Sequence, residues 1–177
     1  FHITNYYGYA GAEMRAISAL DIALWDLAGQ DAGRPIYGLL GGRVRERIRT
    51  YNTCAGYGDR DDYRAFLERP GELAQELLAQ GITAMKIWPY DQLAAAEGVP
   101  AGERLSPHVP ADYYTVGQHI TPEQLALGLW PVRQIREAVG NRMEIAIELH
   151  ARWNLPSAIR IARAPEPYDV LWFAEAM

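Results

Sequence analysis

Glu148 and His150 stand two residues apart at the end of the apolar run EIAIELH, residues 144–150. Alternate side chains of a strand point to one face, so this spacing predicts a carboxylate and an imidazole on the same side, about 6.5–7 Å apart along the chain. A carboxylate closing such a run must be paired, metal-bound or exposed. An ion pair with a neighbour such as Arg152 would satisfy Glu148 as well as a metal would. His150 could ligate a metal, act as a proton donor or base, or simply hydrogen-bond. Lys86, within AMKIW, shares its predicted face with Ala84 and Trp88. A lysine in an apolar strand needs a carboxylate or a catalytic task, unless its ammonium snorkels to the rim. Asp91, His108 and His119 follow in a polar stretch, where solvated side chains are the rule.

The elements that must position these residues alternate. Apolar residues recur at helical spacing from Gly11 to Gly29, and Gly29 is placed as a helix stop. RPIYGLLGG suits one short helical turn, and RIRTYNT, residues 47–53, reads as a strand. A polar loop and a helix ending at Gly81 come next, then the strand ITAMKIW and the breaker Pro89. Residues 90–120 show little periodicity, and a loop of that length in a compact domain, here directly after a strand, is usually functional or mobile. A helix capped by Thr121, with Pro122 at its first position, should kink or divide at Trp130-Pro131. The strand EIAIELH, the helix PSAIRIARA and a last strand in DVLWFAEAM complete the order.

Such alternation indicates parallel βαβ units, in either an open doubly wound sheet or part of a (β/α)8 barrel. No glycine-rich phosphate loop follows a strand, which weakens the nucleotide-binding form of the open sheet. Chemistry in both architectures sits at the C-terminal ends of strands. That rule selects Lys86, Trp88 and Asp91, then Glu148 and His150, then Glu175.

Bulk properties limit the remaining classes. The chain has 177 residues, 49% of them hydrophobic, and a formal net charge of -5 with both signs interspersed, which argues against a nucleic-acid footprint. The basic run GGRVRERIRT reads as a solvated loop and strand entrance. A single cysteine, Cys54, excludes an intramolecular disulfide and fits a reducing compartment. No apolar run reaches the roughly 18 residues of a membrane helix, so a cytoplasmic protein that engages no membrane is expected.

The stretch AISALDIALWDLAGQDAGRPIYGLLGG, residues 16–42, resembles the signature of the mandelate racemase and muconate lactonizing enzyme group of the enolase superfamily. There a capping-domain helix, carrying Asp21 and Asp26 here, leads into a barrel. GITAMKIWPYD is similar to that group's second barrel strand, EIAIELHARWNLPSAIRIARAPEPYD to its third strand and helix, and VLWFAEAM to its fourth. The resemblance implies a fold: about the first four strands of a (β/α)8 TIM barrel, residues 47–177, preceded at 1–46 by the C-terminal helices of an α+β capping domain and a linker. It also implies a Mg2+ enzyme that removes the proton α to a carboxylate, the dication stabilising the enediolate formed. Residue by residue, Glu148 matches the first metal ligand. His150 matches the acid that galactonate-type dehydratases use on the leaving hydroxyl, and Lys86 the first lysine of a Lys-x-Lys motif. Arg152, Trp88 and Asp91 are placed to meet the substrate, a sugar-acid carboxylate.

Three departures bear on these expectations. Trp88 stands where the second lysine, the usual base of the racemases, would be, so a hydro-lyase is favoured over a racemase or epimerase. Ala174 falls at the position of the second ligand, with Glu175 one residue late. A one-residue shift in a strand reverses the face, so Glu175 could serve only if a bulge re-aims it. Finally, a full barrel takes about 250 residues. The sequence is therefore expected to be an internal piece of a longer, homo-oligomeric enzyme, inactive alone; a degenerate, non-catalytic barrel is the alternative outside enzymology.

Overall fold

The computed structural model describes residues 11–56, 61–95 and 119–177, and His108 lies outside them. The chain forms two compact units, Phe1–Arg49 and Thr50–Met177.

In the first unit, helix α1 spans Ala12–Asp31 and a single turn, α2, spans Ile36–Leu39. Gly29 does not stop α1. It is buried inside the helix, where an added Cβ would lie 2.8 Å from the Arg34 carbonyl oxygen, so this glycine serves a close backbone approach. The chain turns instead at Gly33, with φ +61°, a conformation glycine adopts without a side-chain penalty. Leu20, Ile22, Leu24 and Leu27 of α1 are exposed.

The second unit is a parallel α/β assembly. Strands β1 (Ala84–Ile87), β2 (Glu144–Glu148) and β3 (Trp172–Ala174) lie side by side in that order. Lys86 pairs with Ala146, Ile147 with Phe173, and Glu148 with Ala174. RIRTYNT contributes only an isolated bridge, in which the Asn52 N–H donates to the Ala84 carbonyl and the Lys86 N–H donates to that of Asn52. Two features prevent a full strand. The Asn52 side chain accepts from the Cys54 N–H, and Cys54 turns left-handed at φ +50°, so side-chain bonding displaces the ladder. The last strand is likewise shorter than its apolar pattern.

Helices cover one face of this sheet. α3 (Asp62–Glu68) and α4 (Pro70–Ala79) replace the single helix expected before Gly81. The division falls at Arg69, which is held out of helical geometry at φ -145° by the ring of the following proline. A short α5, Asp91–Ala95, begins directly after β1, so the segment read as loop starts helically. α6, Pro122–Val139, runs through Pro131 undivided, with a capping box in which Thr121 and Gln124 satisfy one another's backbone N–H groups. α7, Leu155–Arg163, starts at Asn154, whose side chain accepts from the Ser157 N–H. Met85, Ile87, Ile145, Ile147 and Leu149 form one buried cluster with Leu73, Leu77, Val132, Ile135 and Ile161. Each such side chain contributes roughly 1.5–3 kcal/mol by leaving water.

The opposite face carries Lys86, Glu144, Ala146, Glu148, Trp172 and Ala174. It is concave. The Tyr51 and Trp172 rings meet edge to face with centroids 5.4 Å apart, although they belong to segments three ladder positions apart, about 14 Å on a flat sheet. The sheet therefore curls around this face, as a barrel wall does. No helix of the described residues is long and apolar enough to cross a membrane.

Tyr90 fixes the segment leaving β1. Its side chain is fully buried, and a Cβ on Gly128 of α6 would fall 2.2 Å from its Cε1. Gly128→Ala is expected to destabilise the protein by about 1–3 kcal/mol through overpacking, read as a lower urea midpoint. An unchanged midpoint would contradict this packing.

Candidate active site

Glu148 ends β2 with its carboxylate on the concave face, 3% exposed as a residue. Its partner is Lys86 from the adjacent strand, with Nζ 2.6 Å from Oε2. Arg152, the neighbour weighed from sequence, instead donates from Nη1 to the Asp91 carbonyl oxygen at 3.3 Å. Burial pushes the Glu148 carboxyl up, but the hydrogen bond from Lys86, the His150 backbone N–H and both their charges outweigh it and hold it below its ordinary value. For Lys86, burial pulls the ammonium down, while the bond and charge of Glu148 prevail and leave it raised. Both groups are therefore charged at neutral pH. Lys86 also lies 5.8 Å from the centroid of the Tyr51 ring.

His150 reaches the site by a route that strand alternation does not describe. β2 stops at Glu148, and His150 and Ala151 turn left-handed at φ +46° and +51°. The His150 N–H donates to Glu148 Oε1 at 3.3 Å, and the ring swings toward the end of β1. There Nδ1 lies 2.6 Å from Asp91 Oδ2, and the Trp88 ring stands edge-on with centroids 5.2 Å apart. The hydrogen bond to Asp91 and the charges of Asp91, Glu148 and Glu175 raise the His150 pKa against the opposing effect of burial.

Trp88 is a wall of the site. Its indole N–H donates to the Thr53 carbonyl at 2.9 Å, and its ring lies 5.0 Å from that of Tyr63. Tyr63, whose hydroxyl accepts from Gln92, was not legible as a site neighbour, because nothing in DDYRAF marks it as facing a strand end. His119 is exposed.

Glu175 follows β3 in a left-handed conformation, φ +46°, and its carbonyl accepts from the Ala151 N–H at 2.7 Å. Strand alternation thus ends at Ala174, which pairs with Glu148 and offers no ligand atom. The Glu175 charge nonetheless acts on both Lys86 and His150. Among the described residues no group of three His, Cys, Asp or Glu side chains could hold a metal. Glu148, a hard oxygen donor at a strand end, suits Mg2+, and Glu175 is a second carboxylate whose charge reaches Lys86 and His150.

Residues 70–177 match the enolase C-terminal domain-like family, and residues 3–41 match the mandelate racemase/muconate lactonizing enzyme N-terminal domain. The chain belongs to the mandelate racemase/muconate lactonizing enzyme group of the enolase superfamily. Among its relatives, a D-gluconate dehydratase of Thermoproteus tenax is 33% identical over 92% of this chain and 27% of its own length. A D-galactonate dehydratase family member of Catenulispora acidiphila is 33% identical over 99% of this chain and 38% of its own. Two solved structures are each 41% identical over 94% of this chain and 37% of theirs: an enolase protein from environmental shotgun sequencing of the Sargasso Sea, TM-score 0.71, and an enolase of the mandelate racemase subgroup from Agrobacterium tumefaciens, TM-score 0.70. This enolase-superfamily chain thus spans roughly a quarter to two fifths of the curated relatives it matches.

The ion pair has a direct test. Lys86→Met strands the Glu148 carboxylate and should lower stability by about 3 kcal/mol, the low end for breaking a buried pair because Lys86 keeps some contact with water. Adding Glu148→Leu should recover most of that loss. Urea unfolding in the presence of a chelator measures both, and equal stability of the single and double variants would contradict the pairing.

Proposed function

We propose that this chain is the capping-domain end and first barrel strands of a Mg2+-dependent acid-sugar dehydratase of (β/α)8 architecture. The observation that carries the reading is the placement of His150, a proton carrier held beside the strand-end carboxylate Glu148, where the neighbouring strand presents Trp88 rather than a second lysine. The dehydratase names of relatives that align over nearly the whole chain support it.

The reaction needs three things from the protein: a held carboxylate substrate, removal of its α-proton, and a proton for the departing hydroxyl. Glu148, with Glu175, would hold the Mg2+, which supplies charge stabilisation for the dianion that α-proton loss creates. Lys86 presents an ammonium beside Glu148, suited to the negative charge of the substrate carboxylate. His150 delivers its proton to the leaving hydroxyl, converting it to water. Trp88 and Tyr63 form an aromatic wall that limits water on the His150 side.

A racemase or epimerase requires a base on each face of the α-carbon, and Trp88 removes the lysine that would supply one of them. The full-length enzyme, assayed for 2-keto product with a panel of aldonic and aldaric acids, should require Mg2+ and lose activity on chelation. His150→Asn should lower kcat about 10²–10⁴-fold, the range of a general acid's contribution. Exchange of the α-proton without elimination would favour the racemase reading, and absence of both turnover and Mg2+ binding would make the barrel non-catalytic.

A further inference from the structure

Asp91 is a buried carboxylate of the site to which the proposed reaction has so far given no task. Its side chain is 6% exposed. Oδ2 sits 2.6 Å from His150 Nδ1, and an ionised carboxylate only accepts, so Nδ1 carries the hydrogen of that bond. Oδ1 is buried with no hydrogen-bond partner among the described residues, so the contact with His150 is the side-chain hydrogen bond that Asp91 makes there. The main chain at Asp91 is fixed independently. Tyr90 is locked against Gly128, the Asp91 carbonyl accepts from Arg152, and Arg152 Nε stands 3.8 Å from Oδ2. Trp88 packs edge-on against the imidazole, with ring centroids 5.2 Å apart.

We propose that Asp91 is a positioning residue that holds His150 with Nδ1–H turned inward, so that Nε2 delivers the proton to the departing hydroxyl. The inference rests on the dehydratase reading and extends it from the proton donor to the group that orients it. In the step, a base supplied by the rest of the full-length enzyme takes the α-proton, and the electron pair left on carbon forms the new C=C bond. The C–O bond breaks with its pair on oxygen, and the proton on Nε2 moves to that oxygen to give water. Nε2 keeps the N–H pair, and Nδ1–H remains on Asp91. An Asn at 91 would offer an N–H to Nδ1 and stabilise the opposite tautomer. That exchange in a His–Asp pair costs up to about 10⁴ in kcat.

The test uses the full-length enzyme with Asp91→Asn and Asp91→Ala. Expected are a fall in kcat of at least about 100-fold with KM changed less than about threefold, the pattern of a group that acts after binding. A substrate carrying fluorine in place of the departing hydroxyl needs no proton, because fluoride leaves as an anion. Both variants should eliminate fluoride at close to the unmodified rate, as His150→Asn should. Loss of fluoride elimination together with water elimination would make Asp91 merely structural and overturn the proposal. Independently of any variant's folding, ¹H–¹⁵N spectra of the unmodified enzyme should show a downfield Nδ1–H proton for His150, and its absence would also overturn the proposal. If the unmodified enzyme dehydrates no acid sugar, the dehydratase reading fails and takes the positioning role with it. Normal turnover with an unimpaired Asp91→Asn variant overturns the positioning role alone.

Discussion

A carboxylate at the end of a buried parallel strand is tolerable only with a partner, and the contact of Glu148 with Lys86 at 2.6 Å meets that requirement. The pair requires β1 and β2 to lie in the observed register, with Lys86 beside Ala146 and Glu148 one step beyond. It also places charge on the concave face while Ile87, Ile145 and Ile147 fill the opposite one. The fold therefore separates its two jobs by side of the sheet. The helix-covered face supplies stability, and the inner face holds groups that hydrophobic burial alone would exclude.

At the strand ends the backbone abandons alternation on both sides of the pair. His150, Ala151 and Glu175 all take left-handed conformations, which non-glycine residues seldom adopt and which cluster where function demands a particular side-chain direction. The hydrogen bond from the Ala151 N–H to the Glu175 carbonyl ties the two departures together. One consequence is that Glu175, which strand periodicity would turn away from Glu148, contributes its charge to Lys86 and His150.

Much of this was legible in the sequence because its causes are local. Runs such as AMKIW and EIAIE reveal buried strands, Thr121 and Pro122 mark a helix start, and a lone lysine or glutamate in an apolar run announces a need for a partner. The identity of that partner was less accessible, since Lys86 and Glu148 are 62 residues apart and Arg152 was the nearer candidate. The ring of His150 and the carboxylate of Asp91 meet only because a left-handed turn follows β2 and a buried tyrosine precedes Asp91, neither of which has a periodic signal. Gly29 misled for a related reason. A glycine that admits a neighbouring backbone and one that ends a helix look alike until the neighbour is in place. Pro131 is tolerated within α6, and the apparent strand at residues 47–53 is cut short by the side-chain bonding of Asn52 and the turn at Cys54.

The proposed function requires that Glu148, held by the Lys86 ammonium in this structure, be able to ligate a divalent cation. Anomalous diffraction from crystals of the full-length protein soaked with Mn2+ tests this most directly. The expected result is a metal peak about 2.0–2.3 Å from a Glu148 carboxylate oxygen, typical of hard cation–oxygen ligation, with the His150–Asp91 contact intact. A fully occupied metal bound elsewhere, with Glu148 still on Lys86, would contradict it.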